Sequence, residues 1–172
     1  NDLSRNKAES ASDSVLALNS GLKVKAVPYR LRNEDLKLQV SLADVVVDAT
    51  DNFESRFEIN EACINLRKPL VSGSAIRMEG QIAVFDNSGG GPCYRCVYAS
   101  GGDDSNLNCV ENGVLAPVVG VIGAMLALET VKLILGIGSS LNSRLLLLDG
   151  KLMNWSEVKI LKNRTCPACS EA

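Results

Sequence analysis

Apolar and polar positions change their period several times along the chain, and each change marks an element. From about Ser4 to Leu18 the residues Ala8, Ala11, Val15 and Leu18 fall on one helix face, and Asn19-Ser20-Gly21 stops the run. Lys23 to Tyr29 alternates apolar with polar, which predicts a half-buried strand. A short helix is predicted from Asn33, its cap, to about Val40. Val45 to Asp48 is apolar without alternation, the pattern of a strand covered by helices on both faces. Glu54 to Leu66 is a second clear helix, stopped ahead of Pro69, and Leu70 to Ile76 is the next strand.

The rhythm then changes. Gln81 to Phe85 reads as a strand, followed by the turn Asp86-Asn87-Ser88-Gly89-Gly90-Gly91, a cysteine pair at Cys93 and Cys96, and a polar loop from Ser100 to Asn108. A long apolar helix covers about Val118 to Leu135. Arg144 to Leu148 and Trp155 to Leu161 read as strands joined near Gly150. βα alternation followed by a mixed half predicts an α/β fold with an antiparallel extension.

The stretch VVVDATDN, Val45 to Asn52, poses a chemical question, because a core strand has no use for two acids, a threonine and an amide. Either the strand has ended and these groups form a turn and cap a helix, or they stand at the carboxyl end of a parallel strand, where α/β sheets bind ligands.

Composition narrows the classes. The 172 residues suffice for one domain with a real core, and 46% hydrophobic with 22% charged residues is ordinary for a soluble globular protein. A net charge of −2 without a basic cluster argues against nucleic acid. The apolar run from Val118 to Ile137 contains Glu129 and Lys132 and is interrupted by Gly120, Gly123 and Gly136, so it reads as a core helix and not a membrane span. The opening NDLSRNKAES lacks the apolar segment of a secretory signal, and a cytoplasmic location is expected. The apolar strand that normally begins an open α/β sheet is also missing there, which suggests an N-terminal truncation. No histidine is present, so a metal site must use sulfur or oxygen.

Six cysteines supply the sulfur: Cys63, Cys93, Cys96, Cys109, Cys166 and Cys169. CYRC and CPAC are two CxxC knuckles that can close a tetrahedral Zn²⁺ site of four thiolates. Disulfides are the weaker reading without a secretory signal, and a redox motif needs one pair instead of two. Cys63, in NEACINL, reads as a small core residue. Cys109, in LNCVENG, is either an incidental loop cysteine or a nucleophile or acceptor in thioester or persulfide chemistry.

Taken together, VVDATDN, RFEINEAC, PLVSGSAIRMEGQIAVF, CYRC, CVENGVLAPVVGVIGAMLALETVKLILG and CPAC resemble the E1-like adenylating enzymes, relatives of ubiquitin-activating enzymes that serve molybdopterin and thiamine synthesis. The resemblance runs from about residue 5 to residue 169, and IRMEGQI leans toward the molybdopterin members. It implies a single Rossmann-like domain over residues 1–172, its mostly parallel sheet carrying an antiparallel C-terminal extension and a four-cysteine zinc site. The family's N-terminal βαβ unit, with its Gly-rich phosphate loop, has no counterpart in the sequence, so the chain matches the C-terminal two-thirds of such a domain. The implied activity is ATP-dependent adenylation of the C-terminal Gly-Gly carboxylate of a small ubiquitin-like sulfur-carrier protein.

Residue by residue, the resemblance makes Asp51 the ligand of Mg²⁺ beside the ATP phosphates and Lys7 a contact to those phosphates. It makes Cys93, Cys96, Cys166 and Cys169 the zinc ligands, and Ala99 to Asn108 a crossover segment over the carrier's tail. Cys109 matches a cysteine that some members use in sulfur transfer. A homodimer is implied as well. The competing expectation is a zinc-stapled module that docks the carrier or a partner subunit without turning over ATP.

Overall fold

The structure, a computed structural model, describes residues 5–98 and 113–170. Two compact units divide the chain, Asn1–Arg32 and Asn33–Ala172.

In the first unit, α1 spans Lys7–Leu18. It begins at Lys7 because Asn6 is the N-cap: its side chain accepts from the Ala8 N–H at 2.9 Å and donates to the Pro28 carbonyl at 3.0 Å. The residues from Lys23 to Tyr29, expected as a strand, form none. Period-2 alternation describes two faces, but a strand also needs a neighbouring strand for its N–H and C=O groups, and alternation says nothing of one.

The second unit holds the sheet. Its elements are α2 (Asn33–Leu42), β1 (Val46–Asp48), α3 (Phe53–Asn65), β2 (Leu70–Ile76), β3 (Glu79–Phe85), α4 (Tyr94–Val97), α5 (Ala116–Leu135), β4 (Arg144–Asp149) and β5 (Asn154–Lys159). Asn33, expected as the cap of α2, lies inside the helix. It is the first helical residue, with φ +49°, a left-handed conformation that asparagine tolerates better than most.

The strands are ordered β1-β2-β3-β4-β5. β1 runs parallel to β2, with Val46 opposite Leu70 and Asp48 opposite Ser72. The remaining neighbours pair antiparallel. This is the expected α/β fold with an antiparallel extension; among the described strands the parallel part is the β1–β2 pair, so the sheet is mixed and not mostly parallel.

α5 lies on β2 and β3, burying Val118, Ile122 and Leu126 against Val71, Ile82, Val84 and Leu148. Two glycines set how close the helix comes. A Cβ on Gly80 would lie 2.6 Å from Ile122, and one on Gly73 would lie 2.9 Å from Leu126. Glu129 explains how a core helix tolerates its charges: it faces inward, pairs with Lys132, and accepts the Leu141 N–H at 2.8 Å. The opposite face of α5 carries Val119, Val121, Leu128, Val131 and Ile134 and is exposed.

Candidate functional site

Two constellations meet on α3 and α4. The first is the turn that leaves β1. Asp48, only 1% exposed, accepts from the Thr50 N–H at 2.9 Å and the Thr50 hydroxyl at 2.7 Å through Oδ1. Its other oxygen, Oδ2, faces Arg56 Nη1 at 3.4 Å and the Ser72 hydroxyl at 3.5 Å. Arg56 is itself buried and donates to Ser72 Oγ at 3.2 Å, to the Gly73 carbonyl at 3.0 Å and to the Thr50 carbonyl. A buried carboxylate and guanidinium are tolerable here because each has hydrogen-bond partners besides the other.

Asn52 closes the turn. Its Oδ1 accepts from the Ser55 N–H at 2.8 Å, capping α3, and its Nδ2 donates to Asp51 Oδ1 at 3.2 Å. Asp51 is exposed between these two anchors, at the carboxyl end of the parallel pair and just ahead of a helix N-terminus. The four polar groups of the stretch thus divide their work: Asp48, Thr50 and Asn52 build the turn, and Asp51 is left facing solvent.

The second constellation is the cysteine cluster. Cys93 caps α4, Cys96 lies in its last turn, and Cys166 and Cys169 come from the turns after β5. The four Sγ atoms all lie within 4.8 Å of one another: Cys93 to Cys166 is 3.7 Å, Cys96 to Cys169 is 3.5 Å and Cys93 to Cys96 is 4.0 Å. Disulfide sulfurs would be about 2.05 Å apart. Sulfurs tetrahedral about Zn²⁺ at about 2.3 Å would be separated by about 3.8 Å.

The donor set therefore fits a tetrahedral metal ion. The backbone N–H groups of Cys93 and Asn163, each 3.4 Å from Cys96 Sγ, are placed to support a thiolate. Without a cation, burial pushes the Cys93 thiol up to about 11, and burial followed by the neighbouring thiols raises Cys169 as well. Burial opposes ionisation of Cys166 too, but the N–H groups of Ala168 and Cys169 turn its net shift downward. Four thiolates this close need a positive charge between them.

The two constellations are joined through α4. The Tyr94 N–H donates to Asn60 Oδ1 at 2.9 Å, and Arg95 lies over the Phe57 ring at 4.0 Å. The Tyr94 ring is 5.9 Å from the Arg56 guanidinium. Tyr98 donates to Gln81 at 2.8 Å, and Gln81 to Ser74 at 2.8 Å, lining a small cavity beside the middle of β2.

Of the residues singled out in the sequence, the four cysteines are brought together. Lys7 stands exposed at the first position of α1, in the first unit, and Asp51 belongs to the second. Cys109 and the segment from Ala99 to Asn108 lie outside the described residues. Cys63 is fully buried, and burial pushes its thiol up to about 12, so it behaves as the core residue expected. Arg56 escaped sequence reasoning, since an arginine early in a helix gives no sign that it faces inward. The available signal was its position on the same helix face as Asn60 and Cys63.

Comparison with known proteins gives the chain a family and its fold a likeness. The pattern of the ThiF family matches residues 1–168. Adenylyltransferase and sulfurtransferase MOCS3 of Culex quinquefasciatus is 43% identical over 167 residues, covering 96% of this chain and 38% of that protein. Molybdopterin-synthase adenylyltransferase of Escherichia coli K12 is 38% identical over 165 residues, covering 96% of this chain and 66% of that protein. The chain therefore spans only part of each relative's length. The crystal structure of E. coli MccB with ATP superposes with a TM-score of 0.78 at 18% identity, over 97% of this chain and 52% of that one, which is a likeness of fold. With its sequence pattern matched from residue 1 to 168, the chain belongs to the ThiF family.

Proposed function

We propose that this chain takes part in ATP-dependent adenylation of the C-terminal Gly-Gly carboxylate of a small sulfur-carrier protein, in molybdopterin synthesis. The observation that carries the reading is Asp51: an exposed carboxylate, held on both sides by a braced turn, at the carboxyl end of the parallel strands. The names of the two relatives, adenylyltransferases both, support the reaction class.

The chemistry suits the residues present. A carboxylate nucleophile is already ionised, so its attack on the α-phosphorus of ATP, with loss of pyrophosphate, needs alignment and charge neutralisation more than a general base. A chain without histidine is therefore competent in principle. Mg²⁺ held at Asp51 supplies neutralisation along the phosphates. In this proposal Lys7, in the first unit, is a contact to nucleotide phosphate, and the four cysteines bind structural Zn²⁺. Cys109 acts only in a later sulfur transfer. A second copy of the chain covers the apolar outer face of α5, because a helix apolar on all sides calls for cover on both.

The second reading, a docking module that captures the carrier without turning over ATP, rests on the polar brace around Asp51 having structural value by itself. Calorimetry of Mg-ATP binding to this chain, with and without a Gly-Gly-ended carrier, separates the two. Micromolar nucleotide binding upholds adenylation. Carrier capture without nucleotide binding leaves the docking module.

A further inference from the structure

We infer that Arg56 is the positioning residue for Asp51. This rests on the reading of Asp51 as the cation-binding carboxylate.

The planar guanidinium reaches four acceptors at once: Asp48 Oδ2, Ser72 Oγ, and the carbonyls of Gly73 and Thr50. Asp48 and Ser72 are register partners in the two parallel strands. Thr50 C=O belongs to the peptide unit from which Asp51 departs. The same threonine is held from its other side, where its N–H and hydroxyl both donate to Asp48. The peptide plane ahead of Asp51 is thereby fixed to β2, and Asn52, capping α3, fixes the chain on the other side of Asp51. On the guanidinium's remaining flank lies the Tyr94 ring, next in sequence to Cys93.

Neutralising Asp48 does not by itself require this residue, since any buried cation would serve. Arginine is distinguished from lysine by a rigid fork that holds several acceptors in one plane. The fork ties Thr50 to β2, and that tie is what an exposed carboxylate needs if it is to meet a metal–nucleotide complex in one place.

The test is Arg56→Lys in the full chain, which keeps the charge beside Asp48 and loses the fork. Two readouts are taken together. Hydrogen exchange at the Thr50 amide should accelerate roughly tenfold or more, while the ladder amides of Ile82 and Leu146 keep wild-type rates. Carrier-dependent ATP–pyrophosphate exchange should lose roughly tenfold to a hundredfold in kcat, with KM for the carrier unchanged. Wild-type exchange at Thr50 in the variant, or acceleration equal to that of the ladder amides, would overturn the inference. A wild-type chain without pyrophosphate exchange would count against the adenylation reading alone, and the Thr50 amide would still decide Arg56. Should the lysine variant not fold, the wild-type chain decides: separate, slowly exchanging NMR signals from the Arg56 guanidinium support the tie, and a single averaged signal refutes it.

Discussion

Cys93 Sγ and Cys166 Sγ lie 3.7 Å apart although 73 positions separate them in sequence. The contact joins the start of α4 to the turns beyond β5, so α5, β4 and β5 all lie within the loop it closes. Cys166→Ser should release the bound metal and lower stability by several kcal/mol, because metal-binding free energy here is folding free energy. Metal content by atomic absorption and a thermal melt, each with and without chelator, check this. Unchanged zinc in the variant would rule out the four-thiolate site.

Asp51→Ala should abolish ATP–pyrophosphate exchange while leaving zinc bound. The side chain is exposed, so the change in folding stability should stay within about 0.5 kcal/mol. Denaturant titration beside the exchange assay separates the two effects. Full activity in the variant would refute the cation-binding role.

Cys109→Ala should leave adenylate formation at its wild-type rate and abolish only sulfur transfer. Single-turnover detection of the acyl-adenylate, followed by a sulfur-transfer assay, distinguishes the steps. Loss of the adenylate itself would contradict the assignment.

Leu128→Glu, on the outer face of α5, should shift the chain toward monomer if a second copy covers that face. Leu128 is 58% exposed among the described residues, so the new charge stays solvated in a lone chain and is buried where a second copy covers the face. Sedimentation velocity over a concentration series reads the shift. Identical behaviour of variant and wild type would remove α5 from any dimer contact.

Gly80→Ala should destabilise by about 1–3 kcal/mol, because its Cβ would come within 2.6 Å of Ile122 and α5 would have to lift from β3. A thermal melt checks it, and an unaltered melting temperature would mean that Ile122 can swing clear.

Much of this was legible in the sequence, and the reasons are physical. β2 was readable to the residue, because Leu70 to Ile76 is bounded by a proline and a turn. The cysteine cluster was readable because thiol spacing on a knuckle is local chemistry, whatever the fold around it. The distinction between Asp48 and Asp51 was half visible: an acid still inside the strand must be paired, whereas one three residues on need not be. Lys23 to Tyr29 misled because alternation carries no information about whether a neighbouring strand exists. The mixed character of the sheet was less legible for a related reason, since pairing direction is decided by connections between elements and not by any one strand's pattern. The Arg56 network was hidden because it joins residues from α3, the β1 turn and β2, and only the folded chain brings them together.

The placement of the four cysteines also bears on timing. Synthesis delivers Cys93 and Cys96 well before Cys166 and Cys169, with all of α5, β4 and β5 made in between. Two thiolates alone would leave a tetrahedral ion half-liganded, so an emerging chain would hold a metal only weakly until the last knuckle arrived. Capture of an ion by all four thiolates would thus be deferred until the five described strands had been made, and a metal bound there would act as a late latch on that sheet.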